Sequence, residues 1–153
     1  MKLFAIADLH LARPENRQAL IDLPPHPEDW LIVVGDVCEN IDLFEKAMAL
    51  LTKKFAKLFW TPGNHDLWTI SQQPEAARGL FRYNELVAIC RRYGIHTPED
   101  AYVRWPLSPE PLFIAPIFTL YDYSFRPPHV TLETAVSWAE ETNVVCNDEF
   151  LLH

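Results

Sequence analysis

The sequence predicts an α/β fold built on a βαβαβ parallel core, and three observations predict it. The apolar runs KLFAIAD, WLIVVGD and LFW have the character of buried strands. Two stretches between them place apolar residues at helical spacing. Asp8, Asp36 and Asn64, each following one of those runs, recur at intervals of 28 residues, a length that fits one strand, one helix and their loops. The right-handed crossover rule then makes the three strands parallel neighbours.

Taken in order, KLFAIAD is a short strand, and ARPENRQALIDL follows with Pro14 near a helix start and Ala19, Leu20 and Leu23 at helical spacing. WLIVVGD is almost continuously apolar, the pattern of a strand buried on both faces of a parallel sheet. IDLFEKAMALLTKKFAKL sets Phe44, Ala47, Met48, Leu51, Phe55 and Leu58 on one helical face with lysines on the other, and LFW is the third strand. Beyond it, Pro74 to Tyr93 reads as a helix with Ala76, Leu80, Tyr83, Val87 and Cys90 on one side and Gly94 as its stop. AYVRW and PLFIAPIF read as strands, TLYDYSFRPP as an aromatic loop and TLETAVSWAEE as a helix with Thr131 at its N-cap. Thirteen prolines are scattered between these elements and mark loops, so nothing divides the chain into two domains.

At 153 residues, 49% hydrophobic and 22% charged, the chain has the size and balance of one globular domain with a real core. Its net charge of -8 repels polyanions, so non-specific binding to nucleic acid or to anionic membrane surfaces is not expected. Cys38, Cys90 and Cys146 form no CxxC pair and suit reduced thiols. The N-terminal apolar run is broken by Asp8, too soon for a signal peptide, and no stretch reaches the length of a membrane span. A cytoplasmic protein with no membrane association is expected.

In parallel sheets ligands collect at the carboxyl ends of strands. Asp8, His10, Asp36, Asn64 and His65 all fall there, mixing carboxylate, imidazole and amide groups in a way that suits manganese, iron or zinc better than a pure magnesium or calcium cage. DLH (Asp8 to His10), GDVCE (Gly35 to Glu39) and GNHD (Gly63 to Asp66) match, in order and position, the first three motifs of the calcineurin-like metallophosphoesterases, which the sequence resembles. The resemblance implies the N-terminal half of an αββα sandwich and a metal-dependent hydrolysis of a phosphomonoester or phosphodiester. It implies two divalent ions, manganese, iron or zinc, with Asp8 and His10 on the first, Asp36 bridging both and Asn64 on the second. His65 would be the general acid and Glu39 the carboxylate that orients it. The match gives Asp66 no chemical role of its own.

The family's later histidine motifs, including G-H-x-H, have no counterpart in the sequence. His26, His96, His129 and His153 lack the strand-end or Gly-His context, and each reads as a surface or loop histidine. Asn40 stands where protein phosphatases of the family often carry an arginine, and Arg13, Arg104 and Arg126 have no assigned place. The sequence therefore reads as a truncated metallophosphoesterase domain over residues 1–153, with its ions incompletely bound. The alternative expectation is an inactive fragment that binds at most one metal, or that self-associates or is completed by another chain through an uncovered sheet. A Rossmann-type nucleotide site is disfavoured, because no G-x-G-x-x-G follows the first strand.

Overall fold

The computed structural model describes residues 1–70, 76–119, 121–141 and 146–152. Strands β1 (Leu3–Ala7), β2 (His26–Val34) and β3 (Phe55–Thr61) form a parallel sheet in the order β1-β2-β3, joined by helices α1 (Pro14–Asp22) and α2 (Ile41–Lys54). Short α3 (Asn64–Leu67), α4 (Gly79–Arg92), the antiparallel pair β4 (Val103–Arg104) and β5 (Phe113–Ile114), α5 (Ala135–Glu140) and α6 (Asp148–Leu151) follow. The βαβαβ core is as the sequence predicts.

Burial along the strands follows their place in the sheet. In β3, Leu58, Phe59, Trp60 and Thr61 are buried in succession, the signature of a strand covered on both faces. His96 adds to that cover, since its backbone pairs beside β3 and its ring stacks on Phe59 at 5.3 Å. The double burial expected for β2 is found on one face only: Leu31 and Val33 are buried, while Val34 is 46% exposed.

Helix α2 starts at Asn40, whose side chain accepts from Leu43 N–H at 3.0 Å, and it buries Phe44, Ala47, Met48 and Leu51. Phe55 and Leu58 do not continue this helix, because the chain turns extended at Phe55 and both residues belong to β3. Their spacing fits a helix, but pairing with β2 (His26 beside Phe55, Leu31 beside Leu58) satisfies their backbone instead. Lys54, at the end of α2, donates to the carbonyls of Ile21 and Leu23 and so caps α1, which has no basic residue in its own last turn. Phe44 meets Trp60 edge-on at 5.4 Å in the centre of the core.

Helix α4 begins at Gly79, so Ala76 lies outside it and Leu80 is 70% exposed, while Gly94, at φ 69°, is the expected stop. Pro74 falls outside the described residues. The inner face of α4 is Arg82, Tyr83, Leu86, Val87, Ile89 and Cys90. The two later strands are two residues each, and α5 is capped at Thr134 without a side-chain bond, rather than at Thr131. All three cysteines are free; burial pushes the Cys38 thiol up to about 12 and raises Cys90 as well, which leaves both inert. No helix among the described residues is long and apolar enough to cross a membrane.

Candidate metal centre

The last paired residues of the three strands, Ala7, Val34 and Thr61, lie in register, so the loops that follow leave the sheet in a row. The first two loops stay tied beyond the sheet. Asp8 N–H donates to Gly35 O at 3.3 Å, His10 N–H to Asp36 O at 2.9 Å and Leu11 N–H to Val37 O at 2.9 Å. To make these bonds while turning, Asp8, His10 and Asp36 adopt φ values of 55°, 41° and 52°. Left-handed backbone costs a non-glycine residue on the order of 1 to 3 kcal/mol, and such strain clusters at functional sites.

Glycine lets the second and third loops touch. A Cβ on Gly35 would lie 2.2 Å from Gly63 N, and one on Gly63 would lie 2.1 Å from Asp36 Oδ1. That close approach lets His65 N–H donate to Asp36 Oδ1 at 3.0 Å, which fixes the carboxylate against the third loop.

Asp8, His10 and Asp36 thereby offer an oxygen, a nitrogen and an oxygen within 4.8 Å of one another, with His10 Nε2 3.8 Å from Asp8 Oδ1. Two donors on one ion at about 2.1 Å each sit roughly 3 to 4 Å apart. The set therefore suits a divalent cation in donor type, and the Asp8–His10 pair suits one in spacing as well. His10, Glu39 and His65 also cluster, but His65 Nδ1 lies only 2.5 Å from Glu39 Oε1. No cation fits between atoms so close, and the contact is a hydrogen bond.

Burial pushes the Glu39 carboxyl up, but the His65 hydrogen bond and neighbouring charge outweigh it and hold the group below its usual range. An ionised Glu39 can only accept, so in this contact His65 Nδ1 is the donor. The His10 ring meets His65 edge-on at 4.7 Å, and the Trp68 indole lies over His65 at a ring separation of 3.7 Å.

Asp66 acquires a role that the motif match did not give it. Fully buried, its carboxylate accepts from Val37 N–H at 2.8 Å, Cys38 N–H at 3.3 Å and Gly63 N–H at 3.1 Å, binding the second loop to the third. Burial drives its pKa up to about 7 against the pull of those three donors. Arg82 reaches in from α4, donating through Nε to Asp66 O at 2.7 Å and through Nη2 to Glu39 O at 2.6 Å. Its sequence signal is a lone charge in register with Leu86 and Ile89 on the buried face of a helix.

Asn64 lies beside the same loops, its amide nitrogen donating to Asp148 Oδ1 at 2.8 Å. Nothing local in CNDEF marks Asp148, since the contact spans 84 positions. Burial raises the Asp148 carboxyl, and donors from Tyr121, Asn64 and Trp68 more than offset this, so it stays below its ordinary value. His26 and His96 sit away from the cluster, one on Asp29 at 3.2 Å and the other 3.2 Å from Lys57 Nζ, and His129 lies edge-on to Trp138. His153 lies outside the described residues. Arg126 is spent on the carbonyls of Tyr123 and Val130.

A model of the calcineurin-like phosphoesterase family matches residues 1–144. The chain is 44% identical over 152 residues to an acyl-carrier-protein phosphodiesterase of Mycobacterium tuberculosis, an alignment that takes in 98% of this chain and 47% of the relative. It superposes with a TM-score of 0.90 on the crystal structure of a phosphopantetheinyl hydrolase from the same organism, at 44% identity, covering 99% of this chain and 54% of that one. The chain thus spans about half the length of the relatives it matches. With the family match running through all three strand-end loops, the chain belongs to the calcineurin-like phosphoesterases.

Proposed function

We propose that this chain carries the N-terminal part of a dinuclear phosphoesterase site and that its substrate is a phosphodiester borne by an acyl carrier protein. The observation that carries the first half is the row of Asp8, His10 and Asp36 donors within 4.8 Å, held by strained backbone and beside the His65–Glu39 pair. The name of the 44% identical relative supports the second half.

In this reading Asp8, His10 and Asp36 would hold the first ion, and Asp36 and Asn64 the second. Divalent ions held there would supply an activated water at neutral pH and would neutralise charge on the phosphoryl oxygens. His65 gives a proton from Nε2 to the departing oxygen, while Glu39 holds Nδ1 and stabilises the charged imidazolium before transfer. Asp66 and Arg82 keep the two loops in the register that this pair needs. Asn40 uses its side-chain oxygen to accept from Leu43 N–H and so caps α2.

The test is hydrolysis of bis(4-nitrophenyl) phosphate and of a phosphopantetheine-bearing carrier protein with added manganese. Asp36→Asn is expected to lower the rate by a factor of about 100 or more, through loss of the bridging charge. Equal rates for wild type and variant would remove the catalytic reading. Cleavage of the aryl ester without cleavage of the carrier protein would remove only the proposed substrate.

A second reading is favoured by the exposed apolar side chains Leu112, Phe113, Ile117 and Phe125, the last wholly solvent-exposed. Here the chain binds at most one metal and pairs with another polypeptide across this surface. Metal analysis with solution mass separates the two readings. Two ions per chain in a monomer removes the second.

A further inference from the structure

We infer that Asp148 is a positioning residue for Asn64, deciding which end of its side-chain amide is presented to the metal row. The inference rests on the dinuclear reading above. An ionised carboxylate only accepts hydrogen bonds. With Asp148 Oδ1 2.8 Å from the amide, the NH2 end must face it, and the carbonyl Oδ1, the atom of an amide that binds a hard cation, occupies the other corner of the plane. Without that acceptor either end could turn toward the metals.

The rest of the contact set makes Asp148 a fixed acceptor. It is buried, takes Trp68 Nε1–H on the same Oδ1 at 2.5 Å, and takes the Tyr121 hydroxyl on Oδ2. No basic side chain pairs with it among the described residues. Helix α6 is held in place separately, by Thr69 N–H donating to Leu151 O at 2.9 Å, two residues beyond α3. Trp68 is also the ring that lies over His65. One carboxylate from the end of the chain therefore orients a candidate ligand directly and, through the indole, steadies the ring of the candidate acid.

The experiment is a manganese titration of the full-length protein, read by loss of the free-ion EPR signal, for wild type, Asn64→Ala, Asp148→Leu and Asp148→Asn. Asp148→Leu is expected to weaken the same binding step as Asn64→Ala by about 10- to 100-fold, the usual cost of losing a group that orients a ligand. The other step should stay within about twofold, since the side chain of Asp148 hydrogen-bonds to Asn64, Trp68 and Tyr121 and, among the described residues, not to Asp8, His10 or Asp36. Asp148→Asn, which can still accept from Asn64, should recover most of the loss, and Asp148→Leu added to Asn64→Ala should cost nothing more.

Should Asp148→Leu fold poorly, Asp148→Asn and the metal-free 15N spectrum carry the test. The Asn64 amide protons are expected to exchange slowly in wild type and to shift in either variant. Equal weakening of both steps, an unchanged titration, or an Asn64 amide blind to residue 148 would each overturn the inference. A wild-type protein that takes up no manganese overturns the dinuclear reading, and this inference with it. Normal uptake by wild type and by Asp148→Leu overturns the inference alone.

Discussion

Every residue of the central hydrophobic cluster lies between Leu9 and Ile95, whereas the described part of the stretch from 97 to 152 adds only Ile114, Val130 and Ala135 to the buried apolar set. In that second region Leu107, Phe113, Ile117, Tyr121 and Phe125 are each more than half exposed, although Phe118 packs on Tyr83. What joins the regions is largely polar. Thr61 Oγ1 donates to Ile117 O at 2.8 Å, Thr69 N–H to Leu151 O at 2.9 Å, and Asp148 gathers Asn64 and Trp68. The difference teaches a division of labour. Non-directional burial builds the platform that carries the candidate ligands. Directional hydrogen bonds from the second region orient single side chains on it.

The largest effect should come from breaking the platform. Trp60→Ala removes a fully buried ring between β3 and α2, and is expected to cost about 3 to 5 kcal/mol in urea unfolding. Phe125→Ala, at a side chain with no cover, should stay within about 0.5 kcal/mol of wild type. Comparable losses from both would dissolve the contrast between the regions. Trp60→Phe should cost less than Trp60→Ala, since the buried indole N–H has no partner among the described residues and removing it leaves nothing unpaired.

A smaller effect sharpens the comparison within the first region, where the site depends on close backbone contact as well as on burial. Gly35 and Gly94 have nearly the same φ, 67° and 69°. A Cβ at Gly35 meets Gly63 backbone, and one at Gly94 meets nothing within 4 Å. Gly94→Ala should therefore show only the conformational cost, about 1 kcal/mol. Gly35→Ala should show that cost plus the displacement of a backbone segment, about 3 kcal/mol in all. Equal losses in thermal melts would mean that the contact between the two loops yields without penalty.

This contrast also explains what could be seen in the sequence. The platform was legible because it follows from local periodicity, and because Asp8, Asp36 and Asn64 each follow an apolar run. The match of three ordered motifs pointed to the same residues, and the register of Ala7, Val34 and Thr61 shows why they lie side by side. Phe55 and Leu58 misled because their spacing from Leu51 fits a helix and the competing partner, β2, lies in another part of the chain. Asp66 could be matched but not explained, since its work is to accept three backbone N–H groups that no sequence pattern reveals. Trp68 and Asp148 were silent for the same reason, and Arg82 showed only as a lone charge on the buried face of a helix. Their partners are set by tertiary approach, and a carboxylate in CNDEF looks like any solvated acid until α6 is placed.

The smallest effect concerns how the second region begins, and it depends on pH where the effect of Trp60 does not. Asp100 Oδ2 accepts from Thr97 N–H at 2.9 Å and from its hydroxyl at 2.6 Å, while Oδ1 accepts from Arg91 Nε at 3.0 Å and Nη2 at 2.8 Å. Burial pushes this carboxyl up, but the Thr97 and Arg91 donors prevail and lower it from its ordinary 3.8. A group whose pKa is lower folded than unfolded adds stability at pH above the unfolded value. That stability is lost as pH falls through 3.8 toward the folded value, because the unfolded chain takes up the proton first. Asp100→Asn is therefore expected to be about 1 kcal/mol less stable than wild type near pH 6, discounted for a side chain partly open to solvent. The gap should close as pH drops below 3.8, when wild type loses the same charge. Urea unfolding at the two pH values reads this directly. A deficit that stays constant would mean that the Thr97 and Arg91 contacts depend on shape alone, and that the second region is anchored there by packing after all.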